Sequence, residues 1–227
     1  MKKQKHQFKR IQIKLSSLAL VLLLILFANN MVQAQKKYNP RSADAAYIAN
    51  IQGMNTKLTR GKVSGVASFI VSGDKLYITI VAGGLAPSMM HLQHIHGFKN
   101  SGKKSRCPGA DADTNDDGVV DLIETHESSG VTLIPFNASP VDLVIKTSDY
   151  PDANENGLLT YRMTVSLSSL NAAVQDEYDI EKLDLDKRVI YIHGVPKATP
   201  LPETAESLPE VPAPVTMPIA CGEIHKL

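Results

Sequence analysis

No Gly-x-Ser-x-Gly turn, no phosphate-cradling glycine loop and no internal repeat occurs in the 227 residues, which removes activated-serine and phosphate-gripping chemistry. Nor is there a long apolar run. Leu18 to Phe27 supplies ten apolar residues, where a membrane-spanning helix needs about 20. Cysteine is scarce, at two in the whole chain. Neither lies near the N-terminus, which argues against a lipid-modified start. An excess of positive charge is missing as well once the N-terminal segment is set aside.

That segment reads as a signal peptide over residues 1–34. Lys2, Lys3, Lys5, Lys9, Arg10 and Lys14 precede the apolar run, and Val32-Gln33-Ala34 offers small residues for cleavage. Removing it takes six of the 24 basic side chains and none of the 23 acidic ones, leaving 193 residues with a net charge near −5. Such a mildly acidic chain is expected to bind neither nucleic acid nor a membrane after cleavage. Its length suits a single domain, residues 35–227. The expected location is exported, periplasmic or extracellular, in a bacterium. Both cysteines lie in the exported part, where a Cys107–Cys221 bond can persist.

Short β-rich stretches dominate the remainder. Besides the histidine run described below, they are Tyr47 to Gln52, Lys62 to Val71, Lys75 to Val81, Val131 to Ile134, Val141 to Lys146, Leu158 to Leu167, Arg188 to His193 and Met217 to Ile224. Ser72-Gly73-Asp74 reads as a hairpin turn. Seven to eight short strands separated by Gly, Pro, Asn and Asp predict an all-β Greek-key sandwich or barrel. One helix is expected, from Ser168 through Tyr178, where apolar residues fall at 170, 173, 174 and 178. Seven of the 13 prolines lie from Pro196 to Pro218, so 196–218 is predicted to be a long ordered loop.

The chemistry concentrates in histidine. His91-Leu92-Gln93-His94-Ile95-His96 reads as a strand, in which His94 and His96 project to one face. His193 closes another apolar strand about a hundred residues later. Two neutral imidazoles on one face, joined by a third from a neighbouring strand, suit a borderline-soft transition metal such as copper or zinc.

With these blocks in order, the sequence resembles the copper/zinc superoxide dismutase-like superfamily. The resemblance rests on His91-x-x-His94-x-His96, the following Cys107, Val189-Ile190-Tyr191-Ile192-His193 and Ala220-Cys221-Gly222-Glu223-Ile224, with Gly61 to Leu85 resembling the opening hairpin. It covers most of residues 45–225 and implies a β-sandwich, with copper held by His94, His96 and His193. His91 would be a supporting residue, and Cys107–Cys221 the family disulfide. His91 or His126 remains a further candidate ligand. The chain departs from the family in two places. No zinc loop with its histidines and aspartate follows Cys107, so zinc is not expected. Pro218 stands where the family has the arginine that attracts superoxide. His94-Ile95-His96-Gly97 sits equally near the signature of chordin-type (CHRD) domains, relatives without a settled catalytic role.

A second motif is independent of the first. Residues 113–124 match the twelve-residue loop of EF-hand calcium sites. Asp113, Asn115, Asp117, Asp121 and Glu124 are the side-chain ligands, Val119 provides the backbone carbonyl, and Gly118 sits at the sharp turn. The flanks lack long amphipathic helices, so an isolated structural loop is expected. The leading reading is a secreted binder of copper and calcium. Two alternatives are an active copper-dependent dismutase acting on superoxide and a CHRD-like extracellular interaction module without catalysis.

Overall fold

Apolar residues alternate along Ser64–Ser72 and Lys75–Gly83, so one face of each strand is dry: Ala67 and Phe69 from the first, Leu76, Ile78, Ile80 and Ala82 from the second are all buried. Gly73, at a φ of +56°, makes the tight turn between them. The computed structural model describes residues 43–59, 63–99, 102–209 and 211–227. The predicted signal peptide lies outside them. Among the described residues no helix is long and apolar enough to cross a membrane.

Among the described residues, eight strands form one antiparallel sheet. They are β1 (Ala45–Gly53), β2 (Ser64–Ser72), β3 (Lys75–Gly83), β4 (Gln93–Gly97), β5 (Val131–Pro135), β6 (Leu159–Ser166), β7 (Val189–His193) and β8 (Pro218–Lys226). Their order is β5-β4-β7-β8-β1-β2-β3-β6. The links from β3 to β4 and from β6 to β7 therefore cross over, as expected for a Greek-key all-β fold. The sheet curls until its two edge strands approach each other. The Tyr161 hydroxyl on β6 donates to the Asn137 carbonyl just past β5 at 2.8 Å, and the ring of Phe136 lies 5.8 Å from both Tyr161 and Phe69. Inside the curl, Ile95, Leu133, Leu159, Ile190 and Ile192 complete the core.

The predicted helix is present as α1 (Leu167–Tyr178). Ser166 caps it by accepting from the Ser169 amide at 3.1 Å, and Leu170 and Val174 are buried. The described residues of 196–217 run without strand pairing, with a single helical turn at Ala213–Thr216. One expected strand is absent. Val141 to Lys146 is rich in β-forming residues, yet Pro140–Asp142 is a 3₁₀ turn that ends with Leu143 at a φ of +55°. Asn137 then donates its side-chain amide to the Val144 carbonyl at 2.9 Å, taking an acceptor that a ladder would have used.

Candidate metal centre

Both faces of β4 and β7 are buried. One face of each strand belongs to the core: Ile95 on β4, Ile190 and Ile192 on β7. Alternation sends His94 and His96, and on β7 Val189, Tyr191 and His193, to the opposite face. Because β4 and β7 pair with His94 opposite Tyr191 and His96 opposite Val189, the histidines meet on that shared outer face. Two register shifts sharpen the convergence. One falls between Ile95 and His96 where β4 meets β5; the other falls between Ile192 and His193 where β7 meets β8. Bulges of this kind re-aim a side chain locally. Gly130, at a φ of +76°, passes so close to the Gly97 carbonyl that no Cβ fits, which lets β5 enter beside His96.

Ligand atoms of His94, His96 and His193 all lie within 4.8 Å of one another. Ring centroids are 5.9 Å apart for His94 and His96, 5.2 Å for His94 and His193, and 5.6 Å for His96 and His193. All three residues are at most 3% exposed. His193 Nδ1 donates to the Thr216 carbonyl at 2.8 Å, which leaves Nε2 without a partner. His96 Nε2 lies 3.1 Å from the Thr132 hydroxyl, and its Nδ1 has none. Neither nitrogen of His94 is hydrogen-bonded. Buried polar atoms are normally satisfied. One ring nitrogen from each of three buried histidines, drawn within 4.8 Å of the others, is a donor set that a soft or borderline cation fits.

Electrostatics keeps the rings ready to donate. Burial drives His94 and His96 well below the ordinary histidine value, and neighbouring His193 adds to the effect in both. His193 is pushed down to about 4 by burial, against the pull of the Thr216 carbonyl. Neutral imidazole is the metal-binding form.

The other predicted residues take separate places. His91 is buried with Nδ1 3.0 Å from the His193 carbonyl and Nε2 3.0 Å from that of Ala86, so both nitrogens face backbone oxygens and the ring braces the end of β7. His126 is half-buried and begins the single turn His126–Ser129; it acts electrostatically on His96 but stands outside the group of three. Cys107 and Cys221 are joined in a disulfide. Sequence reasoning missed two aromatic neighbours. Tyr150 sets its ring 5.4 Å from His94 and carries an unpartnered buried hydroxyl. Tyr191 lies 4.6 Å from His96 and shares a 2.6 Å hydrogen bond with Ser129. Alternation on β7 was the available signal for Tyr191; nothing in the sequence pointed to Tyr150.

The acidic loop folds its carboxylates onto its own backbone. Asp113 accepts from the Asp117 and Gly118 amides at 3.0 and 2.9 Å, and Asn115 from Asp117 at 3.0 Å. Glu124 accepts from the amides of Thr114 and Asp121 at 2.8 and 3.0 Å. Gly118, at a φ of +90°, makes the predicted sharp turn. Two members also reach the proline-rich segment: Asp117 accepts from the Thr204 hydroxyl at 2.5 Å and Asp121 from the Glu206 amide at 2.6 Å. Asn55 ties Val120 to the start of β8, accepting from the Val120 amide at 2.9 Å and donating to the Pro218 carbonyl at 2.8 Å. Among the described residues, the histidine trio is the group of three or more His, Cys, Asp or Glu residues drawn within 4.8 Å of one another.

The fold resembles that of solved proteins. The chain is similar to the Cu/Zn superoxide dismutase from Brucella abortus, at 14% sequence identity and a TM-score of 0.36, over 79% of this chain and 99% of that one. No family model matches the sequence, and no curated protein does.

Proposed function

We propose that this protein is an exported copper-binding protein, with His94, His96 and His193 as the ligands and His91 as a brace behind them. The observation that carries this reading is the convergence of three neutral, buried imidazoles with unpartnered nitrogens. Thr216 and Thr132 orient two of the rings in the way that carbonyl and hydroxyl partners commonly orient metal-binding histidines. Copper, when bound, supplies one-electron chemistry. The protein's own contribution is to fix the rings, keep them unprotonated and exclude bulk water. The disulfide accords with an oxidising, exported setting.

We place metal holding ahead of turnover of superoxide. Among the described residues, the lining of the small cavity beside His94 and His193 includes no lysine or arginine that would draw an anion towards the ring nitrogens. Calcium at residues 113–124 is the second half of the proposal. It rests on the spacing of Asp113, Asn115, Asp117, the Val119 carbonyl, Asp121 and Glu124 and on the turn at Gly118.

Elemental analysis of the untagged protein tests both halves. About one copper per chain is expected, falling away in His96→Ala; protein that cannot be loaded with copper rejects the histidine site. Calcium is expected to raise the melting temperature of the wild type and not of Asp113→Ala, and an unchanged melting curve rejects the loop.

A further inference from the structure

Beside the rings of His94 and His193 lies a cavity of about 20 Å³, walled by Leu92, Leu122, Ile145, Leu208 and Val211. That volume has room for roughly one water molecule. Two threonines reach it, but their hydroxyls are engaged elsewhere: Thr132 with His96, and Thr216 with Ser207 at 2.7 Å. Among the described residues, no Asp or Glu lines the cavity, and none of the groups that perturb the three rings is a carboxylate. A cation here meets three neutral nitrogens and an apolar roof, with no anion among the described lining residues to balance its charge.

The geometry points to a site built for copper(I) over copper(II), with Leu208 and Val211 as the roof that sets the preference; this rests on the copper reading above. Charge and coordination number both favour the monovalent ion. Burial cost rises with the square of the charge, so an uncompensated divalent ion costs about four times as much to bury as a monovalent one. Copper(II) also favours a tetragonal set of four or more ligands. The protein offers three, and a water or anion in the cavity beside them would find apolar walls and threonine hydroxyls already engaged, the unpartnered Tyr150 hydroxyl lying outside that lining. Copper(I) needs neither the extra ligand nor the counter-charge.

Competition titrations under anaerobic conditions decide the matter, with bathocuproine disulfonate against copper(I) and nitrilotriacetate against copper(II). The wild-type protein is expected to bind copper(I) at least about a hundredfold more tightly, and protein loaded with copper(II) and treated with ascorbate should lose its electron paramagnetic resonance signal and keep its metal. Leu208→Asp places a negative charge at the roof and is expected to narrow the ratio by about tenfold or more. Leu208 and Val211 are both half-buried, so Val211→Asp serves if the first variant does not fold. Copper(II) binding as tight as copper(I) in the wild type overturns the inference while leaving the copper site standing. A ratio unmoved in both variants overturns the role of the roof. Failure to bind either ion overturns the copper reading itself.

Discussion

His193 Nδ1 donates a 2.8 Å hydrogen bond to the carbonyl of Thr216, 23 residues further along the chain. That bond fixes the tautomer: the proton sits on Nδ1, and the lone pair of Nε2 is turned to the space shared with His94 and His96. His91 supports the same residue from its backbone side. The two histidines should therefore be separable by titration with a chromophoric chelator. His193→Ala removes a donor and is expected to weaken copper binding by well over a hundredfold, whereas His91→Ala removes only support and costs about 10–100-fold. Equal losses would mean that His91 is itself a ligand.

Metal-free protein should be acid-labile because of these rings. In the unfolded chain each histidine takes up a proton near pH 6.5, but folded His193 does so only near pH 4, and burial holds His94 and His96 well down too. Between those values the unfolded state binds more protons, so stability falls as pH falls, by up to about 1.4 kcal/mol per pH unit for each ring. Urea unfolding of the metal-free protein from pH 7 to pH 4.5 should show this slope, and His193→Gln should flatten it by up to one proton. A slope that His193→Gln leaves unchanged would mean that the ring titrates normally in the folded state.

Much of this architecture is legible in the residues, and the failures have physical causes. β2, β3 and β6 were legible as β-rich stretches, and period-two alternation gives each one dry face and one wetter face. The same alternation placed His94 and His96 on a common side. It did not bring His193 to them, since that meeting depends on β7 pairing with β4 across a crossover and on a bulge at Ile192/His193. Val141 to Lys146 is β-rich as well, and misleads: Pro140, left-handed Leu143 and the Asn137 side chain satisfy that backbone locally instead. Tyr150, Leu208 and Val211 sit in irregular segments, where no periodicity says which way a side chain points.

Asp121 is 1% exposed, and its two oxygens serve three backbone amides: Oδ1 accepts from Ile123 and Glu124 at 2.8 and 3.0 Å, and Oδ2 from Glu206. Asp121→Ala leaves those donors unpaired and detaches the segment that carries Leu208. A loss of about 2–4 kcal/mol is expected in denaturant unfolding, since each unsatisfied buried group costs about 1–3 kcal/mol. Asp121→Asn retains acceptor oxygen on one side and should cost less. If Asp121→Ala leaves the unfolding midpoint unchanged, the tie between the two loops carries no weight.

The Cys107–Cys221 bond closes a loop of 114 residues. A cross-link over that span removes chain entropy from the unfolded state worth about 4–5 kcal/mol at most, so the double serine variant should unfold at markedly lower denaturant. An effect on the metal should accompany the loss of stability. Cys107 and Cys221 pack with Val189 and Tyr191, and next to Cys107 the Arg106 carbonyl accepts from Ser129, whose hydroxyl also meets that of Tyr191. Tyr191 in turn lies against His96. The disulfide thus steadies the aromatic wall of the histidine cluster without touching it. Its removal should weaken copper binding by about tenfold, the lower end of what outer-shell changes cost and far short of losing His193. A double serine variant that is destabilised yet binds copper at wild-type strength would show that the wall holds its position without the cross-link.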